Sequence, residues 1–238
     1  MTNILKSLSK IPNGRVVLSV RDIGKTFNEG GRPLTILAGG GFDLLSGEII
    51  ALVGPSGCGK STLLQCAGLL DRPTRGQIII SGAGAHKLGE AERTMLRRSK
   101  IGFVYQRNNL LSDFTALENV MMPMMAAGLS SDDADLRARR LLKNANILHR
   151  ADHMPGEMSG GEQQRVAVVR ALANNPDMIL ADEPTGSLDP NHAKLVFDLL
   201  FDVVRRSGAA MLFVTHDMAL ANRADRIITI TKGRVIPL

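Results

Sequence analysis

The sequence predicts an α/β protein with a parallel-sheet core, an antiparallel β subdomain and an inserted α-helical subdomain. Three observations support this prediction. Short continuous apolar runs of strand length recur along the chain with helical patterns between them, as in βαβ units. Two strand-like segments near the start flank a polar, Gly-rich loop, which favours antiparallel pairing. A long middle stretch carries helix signals and no convincing strand.

The predicted strands follow in chain order after a loose tail expected over residues 1–14. Val16 to Val20 and Thr35 to Phe42 are expected to pair as antiparallel strands around the loop at 28–32. The apolar runs that predict parallel strands are Ile49 to Val53, Met178 to Ala181, and Ala210 to Val214. A terminal hairpin is predicted where residues 227–231 and 234–236 flank Lys232-Gly233.

The helical insert is predicted between about Leu110 and Ala173, with an amphipathic, Arg-rich helix over Asp132 to Asn146. These assignments divide the chain into two parts. The α/β core with its antiparallel β subdomain is expected over residues 15–106 and 172–238. The helical subdomain is expected over residues 107–171.

Composition and charge argue against a membrane-spanning, a secreted or a nucleic-acid-binding protein. The chain is 44% hydrophobic and 22% charged, which is typical of a globular domain. It has no apolar run near the ~18 residues that a membrane span needs, and its start lacks the apolar stretch of a signal peptide. We therefore expect it in the cytosol. The net charge of +6 is attributed to solvated helix faces rather than to nucleic-acid binding, because acidic residues are interleaved.

Residues 54–61 read GPSGCGKS, a complete match to the phosphate-binding loop G-x-x-x-x-G-K-[ST]. The loop follows a predicted buried strand and precedes a helix expected over Lys60 to Leu69, so the core is predicted to be that of a P-loop NTPase. Its glycines let backbone amides turn toward phosphates, and the helix N-terminus adds positive potential. Lys60 is expected at the outer phosphates and Ser61 at Mg²⁺. The predicted ATP-binding residues here are Gly54, Pro55, Ser56, Gly57, Cys58, Gly59, Lys60, Ser61 and Thr62.

Residues 178–183 read MILADE, four apolar residues followed by two acids. The carboxyl ends of strands are where α/β sheets bind ligands. Asp182 is predicted to hold Mg²⁺ through its water shell, and Glu183 to orient and deprotonate an attacking water. Such a run is common at strand ends by itself. Its combination with an upstream phosphate loop predicts nucleotide hydrolysis.

Residues 159–165 read SGGEQQR. Ser159 and Glu162 have the spacing of a capping box, so a helix is expected to begin here. The adjacent glycines Gly160 and Gly161 leave the first amides of that helix uncovered by side chains. This arrangement predicts a second anion site, although the chain has only one phosphate loop.

Together these motifs resemble those of the ATP-binding cassette family, over about residues 16–236. SGGEQ matches the family signature, preceded by Met158 where Leu is usual. Gln106, after the apolar run 101–105, falls at the family's Q-loop. Ser187-Leu188-Asp189 matches the D-loop, and His216 matches the switch histidine.

The resemblance implies that two cassettes pack head to tail, with each ATP held between the phosphate loop of one copy and the signature helix of the other. Within one copy, Phe27 is expected to stack on adenine and Gln106 to contact ATP. The residues expected to reach ATP across a homodimer are Ser159, Gly160, Gly161, Glu162 and Asp189. The expected Mg²⁺ residues are Ser61, Gln106 and Asp182. The expected catalytic residues are Lys60, Glu183 and His216.

Two further stretches are similar to the lipoprotein-releasing subgroup of that family and to its macrolide-exporter and cell-division relatives. These are ADEPTGSLD at 181–189 and LLSDFTALENVMMPMM at 110–125. The likeness implies an integral membrane partner contacting about residues 107–125, and a peripheral position on the cytoplasmic face of the inner membrane. The alternative is a regulatory ATPase of a non-transporting membrane complex, such as a cell-division assembly. The ATPase motifs are common to both, and the identity of the membrane partner separates them.

Overall fold

The computed structural model describes residues 14–238, so the predicted tail lies, apart from its last residue, outside the described residues. The strands over that range are β1 (Val16–Glu29), β2 (Arg32–Gly40), β3 (Phe42–Leu45), β4 (Ile49–Val53), β5 (Arg75–Ile80), β6 (Ala83–Gly84), β7 (Ile101–Tyr105), β8 (Met178–Asp182), β9 (Ala210–Val214), β10 (Arg226–Thr231) and β11 (Arg234–Pro237). The α-helices are α1 (Lys60–Ala67), α2 (Glu90–Lys100), α3 (Ala116–Ala126), α4 (Ser131–Asn144), α5 (Gly160–Ala171), α6 (Pro190–Ser207) and α7 (Met218–Ala221).

The parallel strands form the centre of the molecule in the order β10-β4-β9-β8-β7. The three apolar runs that predicted parallel strands are β4, β9 and β8, and they are direct neighbours. Every residue of β4 and β9 is buried, as expected for a sheet covered on both faces. The α/β fold class is therefore confirmed, and the carboxyl ends of β4 and β8 lie at the same edge of the sheet.

The antiparallel part contains the predicted hairpin around the Gly-rich loop, formed by β1 and β2, but its register differs from the prediction. Val16 to Val20 pairs with β3 and β5, so that Val20 lies opposite Phe42 and no residue of Val16 to Val20 pairs with β2. Only the second half of β1, from Gly24 onward, pairs with β2, and the turn is Gly30-Gly31. The reason is the length of β1, which spans 14 residues and changes register at Lys25. Phe42 belongs to β3, a strand of its own.

The helical insert contains α3, α4 and the start of α5, and the predicted amphipathic helix is α4. It ends at Asn144, two residues before the predicted end. Helix α1 likewise ends at Ala67 rather than Leu69, because Gly68 caps it and Leu69 has a φ of +59°. Helix α5 packs in two directions: Val166 and Val169 join the core of the insert, and Val168 and Ala171 pack against the central sheet.

The antiparallel and parallel parts of the sheet are joined between β2 and β11 by two residue pairs, Gly39 with Arg234 and Gly40 with Val235. Gly40 has a φ of +83°, and a Cβ atom there would meet the Val235 carbonyl oxygen at 2.2 Å. Only glycine fits such a close approach of two backbones. This short joint connects the strands before the phosphate loop to the terminal hairpin β10–β11, which was predicted and is confirmed.

Candidate nucleotide site

The phosphate loop between β4 and α1 borders a cavity of about 230 Å³. Its lining residues are Ile36, Ser56, Gly57, Gly59, Lys60, Ser61, Thr62 and Glu183. Glu183 follows β8, which is separated from β4 by one strand, so the topology brings two motifs that are distant in sequence to one cavity. A phosphate-binding loop and a carboxylate that can accept a proton therefore face the same space.

Lys60 begins α1 and is almost fully buried, with 8% of its surface exposed. Its Nζ donates to the carbonyl oxygens of Gly54 and Pro55 at 2.8 and 2.9 Å. An ammonium group has three donors, so one remains for another acceptor. Gly59, the N-cap of α1, has a φ of +104°, and a Cβ atom there would lie 2.8 Å from Ile36 Cγ2. The loop is thus held closed around a charged group at the helix N-terminus.

Asp182 ends β8 next to Ser61. Burial raises the pKa of the Asp182 carboxyl, as does the neighbouring Glu183, while a hydrogen bond with Ser61 and the charge of Lys60 oppose this shift. Within residues 14–238 no group of three or more His, Cys, Asp or Glu side chains is placed to hold a metal by itself. Mg²⁺ in nucleotide sites needs only one or two protein oxygens besides phosphate and water. The Ser61 hydroxyl and the Asp182 carboxylate fit that requirement.

Glu183 is held in an unusual backbone conformation. Its φ is +43°, in the left-handed region that non-glycine residues rarely adopt, and its N–H donates to the Val214 carbonyl at 3.2 Å. The turn points its carboxylate toward His216, whose Nδ1 lies 3.5 Å from Glu183 Oε1. The His216 side chain is 72% exposed and that of Glu183 27%. A carboxylate and an imidazole therefore lie side by side at the edge of the site.

Gln106 converges on the same place from the end of β7. A Cβ atom added to Gly186 would lie 3.0 Å from Gln106 Nε2 and 3.2 Å from Glu183 Oε2, so both side chains approach this glycine. The Ser187 hydroxyl donates to the Gln106 carbonyl oxygen at 2.8 Å. The predicted Q-loop and D-loop are thus in direct contact within one chain.

Phe27 lies near the end of β1 and is 36% exposed, with the Lys25 ammonium 4.8 Å from its ring centroid. It is not among the residues that line the phosphate-loop cavity. An exposed ring is available for stacking, and the adenine contact at Phe27 stays a prediction.

The signature segment has the predicted capping box. The Ser159 hydroxyl accepts from the Glu162 N–H at 3.3 Å, and the Glu162 carboxylate accepts from the Ser159 N–H at 2.8 Å. The same carboxylate accepts from Arg150 Nε at 2.8 Å. These bonds, the backbone one foremost, lower the pKa of Glu162 to about 2. The Glu162 carboxylate is therefore engaged inside its own chain, while Ser159 and Gly160 are exposed.

Asp189 caps α6 beside the signature segment. Its carboxylate accepts from the backbone N–H groups of Asn191 and His192 and lies 2.6 Å from His192 Nδ1; the hydrogen bond with His192 is the main reason why the pKa of Asp189 is lowered. A Cβ atom on Gly161 would lie 3.0 Å from the His192 ring, so the two segments touch. The five residues predicted to act across a dimer thus form a cluster of their own. None of them lines the phosphate-loop cavity.

Gln164 is not among the site residues that the motifs predicted. It is 2% exposed, and its Nε2 donates to the carbonyl oxygens of Tyr105 and Pro184 at 2.8 and 2.7 Å. The available signal was its position on α5, three residues after Gly161 and four before Val168, which are both buried. A polar residue at that spacing lies on the buried helix face and needs partners there.

The two cysteines differ in environment. Cys58 is half-buried in the phosphate loop, and a Cβ atom on Gly54 would lie 3.0 Å from its Sγ. Cys66 is fully buried in α1. Burial, aided by the charge of Asp71, raises the pKa of the Cys66 thiol to about 11. Cys66 is therefore protonated at neutral pH.

A larger groove, of about 460 Å³, lies between α2, β7 and α3. Phe103, Leu111, Met122 and Pro123 are among the apolar residues that line it, and Arg98 adds positive charge. The predicted partner segment 107–125 supplies only one side of this groove. Part of that segment is core: Leu117, Val120, Met121 and Met124 are buried in the helical insert. Over the described part of the chain, no helix is long and apolar enough to cross a membrane.

Comparison with known proteins agrees with these motifs. A family model described as ABC transporter matches residues 37–186. The lipoprotein-releasing system ATP-binding protein LolD 1 of Rhodospirillum rubrum is 50% identical over 222 residues, which cover 93% of this chain and 98% of that protein. LolD of Paramagnetospirillum magneticum is 50% identical over 219 residues, covering 92% and 97%. Among solved structures, a dimeric ATP-binding cassette in a post-hydrolysis state, bound to ADP and Pi, matches with a TM-score of 0.84 at 39% identity, covering 92% of this chain and 96% of that one.

Proposed function

Since the chain belongs to the ABC transporter family, whose cassettes bind and hydrolyse ATP, we propose that it is the motor subunit of a lipoprotein-releasing system, working as a dimer around two ATP molecules. One observation carries the dimer proposal. The phosphate loop and Glu183 line one cavity, whereas the signature cluster, which has its own exposed helix N-terminus, lies apart from it. Each half-site lacks what the other provides, and a head-to-tail pair of copies completes both.

The roles of the residues in one half-site follow from their geometry. Lys60 directs its remaining donor to the outer phosphates of ATP. The backbone amides of the loop and the N-terminus of α1 bind the other phosphate oxygens. Ser61 would hold Mg²⁺ directly and Asp182 through the water shell of the ion, with Gln106 as the third residue for the metal. The ion would supply charge that stabilises the phosphoryl group during transfer. Phe27 stacks on adenine.

Glu183 takes the proton from the attacking water, and His216 donates a hydrogen bond toward the γ-phosphate. The 3.5 Å separation of Glu183 and His216 supports this division, because both side chains reach the same edge of the site. Catalysis is then mostly positioning and charge stabilisation, as in other phosphoryl transfers. In the second half-site, the first backbone N–H groups of α5, at Gly160 and Gly161, are donors for the partner copy's ATP, and the exposed Ser159 lies beside them. Glu162 and Asp189 act there by fixing the two helix starts.

Trapping the ATP-bound dimer tests this function. Glu183→Gln keeps the size and hydrogen bonding of the side chain but removes the base, so hydrolysis is expected to fall by ~10²–10⁴-fold while MgATP binding persists. A dimer should then accumulate with MgATP and be visible by analytical ultracentrifugation. The matched variant Lys60→Ala should lose ATP binding and form no dimer. Near-parental turnover in Glu183→Gln would refute the base, and a monomer with MgATP bound would refute the shared site.

We place the membrane partner in the groove between α2, β7 and α3. Its apolar lining suits the apolar face of a short helix, and Met residues suit an adaptable contact. The groove begins directly beside β7, which leads into Gln106, so a partner seated there is connected to the nucleotide site through one strand end. Docking on an integral membrane subunit would hold the chain peripherally at the cytoplasmic face of the inner membrane. The named function of the relatives favours lipoprotein release as the process driven.

Charged substitutions in and beside the groove test this placement. Met122 lines the groove, so Met122→Glu should abolish co-purification with the membrane subunits while ATP binding and the melting temperature stay near the parental values. Met95 on α2 is 66% exposed and does not line the groove, so Met95→Glu should retain the partner. Equal retention by both variants would exclude the groove as the docking surface. Identification of a non-transporting cell-division protein as the partner retained by the parental chain would replace lipoprotein release with the alternative function.

A further inference from the structure

Helix α5 connects the two halves of the site described above. Its N-terminus, at Gly160, is exposed and faces the position proposed for a second copy's ATP. One turn later, Gln164 is buried against the ends of two strands. A single rigid helical turn thus separates the surface that would contact the partner's nucleotide from groups beside the chain's own site.

The Gln164 amide connects the ends of β7 and β8 at the point where their backbone hydrogen bonds to each other stop. The β7–β8 ladder ends at the pair Tyr105 and Asp182. Beyond it, the Glu183 N–H turns away to Val214, and Pro184 has no N–H to donate. Both protons of the Gln164 amide are used, one on the Tyr105 carbonyl and one on the Pro184 carbonyl. This side chain therefore continues the connection between the two strand ends.

The two carbonyls belong to the residues next to the reacting groups. Tyr105 immediately precedes Gln106, and Pro184 immediately follows Glu183. Because each peptide group is planar, the orientation of the Tyr105 carbonyl also fixes that of the Gln106 N–H. The strained φ of Glu183 needs surrounding structure to maintain it, and the bond to Pro184 is part of that structure.

We propose that Gln164 is a positioning residue that couples the signature helix to Gln106 and Glu183. When ATP on the phosphate loop of a second copy contacts Gly160 of the first copy, Gln164 aligns the hydrolytic residues of the first copy. This inference rests on the proposed shared-site function. It distinguishes Gln164 from a polar residue that only forms buried hydrogen bonds. Removing the Gln164 amide should lower kcat strongly, with a smaller effect on stability and on KM for ATP.

Steady-state kinetics of Gln164→Met tests the coupling. Methionine has a similar length and shape but donates no hydrogen bond, so both carbonyls lose their partner. We expect kcat to fall about 10²-fold, the scale of a misplacement of about 1 Å, while KM for ATP stays within about threefold. The MgATP dimer should still form, as in Glu183→Gln.

A matched control separates this effect from a general loss of buried hydrogen bonds. Asn119 is 1% exposed, and its Nδ2 donates to carbonyls of Leu111, Phe114 and Thr115 within the helical insert. Asn119→Leu should lower the melting temperature at least as much as Gln164→Met but leave kcat within about threefold of the parent. An equal loss of kcat in both variants would overturn the coupling.

A second variant gives a readout that depends on the proton donor itself. The carboxyl introduced by Gln164→Glu can donate to one carbonyl only when protonated, and burial raises its pKa toward the working range. The ratio of variant to parental kcat should therefore rise as pH is lowered from about 8.5 to about 6. A ratio that does not change with pH would overturn the proposal even if Gln164→Met fails to fold. If the parental chain neither hydrolyses MgATP nor dimerises with it, the proposed function itself is wrong; if it does both and Gln164→Met matches it, only the coupling is wrong.

Discussion

Glu162 allows a quantitative test of the signature segment, because its carboxylate has three donors within the chain. It accepts from the Ser159 N–H, the Ser159 hydroxyl and Arg150 Nε. We expect the main effect of this side chain to be on the free energy of unfolding through the start of α5. The informative substitutions are Glu162→Gln, which keeps a capping-box residue without charge, and Glu162→Ala, which removes the cap.

The magnitude can be estimated from the pKa of Glu162 and from the contacts that lower it. The pKa of Glu162 falls from 4.5 to about 2, which corresponds to about 3 kcal/mol at about 1.4 kcal/mol per unit. The side chain is 21% exposed, and solvent screening reduces this figure to about 2 kcal/mol. The contacts give a similar sum: about 1 kcal/mol for the cap and about 1 kcal/mol for the Arg150 pair. We therefore expect losses near pH 7 of about 2 kcal/mol for Glu162→Ala and about 1 kcal/mol for Glu162→Gln.

The pH dependence has a definite sign. The folded pKa lies below the unfolded one, so the stabilisation by charged Glu162 is complete above about pH 4.5 and is lost as pH falls through about 2. The stability difference between the parent and Glu162→Gln should therefore be largest at pH 7. By pH 3.5 it should have shrunk by roughly two fifths.

Urea unfolding at pH 7 and pH 3.5 measures this difference, and at pH 7 a loss of 1 kcal/mol corresponds to a melting shift of about 2–4 °C. Glu118→Gln is the matched control, because Glu118 closes the same capping box with Thr115 at the start of α3, and Arg150 bonds Glu162 instead. It should be less destabilising than Glu162→Gln. A difference for Glu162→Gln that is absent at pH 7, or that does not decrease at pH 3.5, would refute the reasoning.

Three further predictions concern the nucleotide site. Alkylation of Cys58 should abolish ATP binding, ATP should protect it, and Cys58→Ser should remove the sensitivity while the buried Cys66 reacts more slowly; unchanged ATP binding after stoichiometric labelling of Cys58 would contradict this. Because burial raises the pKa of Asp182, protons should compete with hydrated Mg²⁺ for this carboxylate, so the Mg²⁺ concentration for half-maximal activity should rise as pH falls. A flat dependence would argue against a role of Asp182 in holding Mg²⁺. His216→Ala should lower kcat by ~10²-fold with KM for ATP nearly unchanged, since its side chain is 72% exposed and contacts Glu183 rather than the phosphate loop; a rise in KM alone would assign it to binding.

The sequence predicted the parts of the fold that are set by local pattern. A run such as Ile49 to Val53 can only be a buried strand when a phosphate loop follows it, and the spacing of Ser159 and Glu162 specifies a helix start by itself. The antiparallel hairpin of β1 and β2 was predicted, but the partners of Val16 to Val20 were not. The partners of the two halves of β1 are separated in sequence, and the pattern of Val16 to Val20 fits any of them. The strand β5, which pairs with this segment, was not anticipated either.

The candidate site shows the same division. Lys60, Asp182 and Glu183 became candidates because their motifs have fixed spacing, and all three lie at one sheet edge. The partner of the Glu162 carboxylate, Arg150, lies twelve residues before it and belongs to no motif. Gln164 could be recognised only once the carbonyls of Tyr105 and Pro184 were seen to meet at its amide.

The joint between β2 and β11 affects the distance between the positions proposed for the adenine ring and for the phosphates. The ring proposed for adenine, Phe27, belongs to the antiparallel strands, whereas the phosphate loop follows a parallel strand. The two pairs at Gly39 and Gly40 are the ladder contact between these strand groups in the described chain. In the proposed site, strand β11, which contains no motif, therefore helps to fix the distance between the adenine and phosphate positions. We expect a side chain at Gly40 to change this distance without contacting ATP.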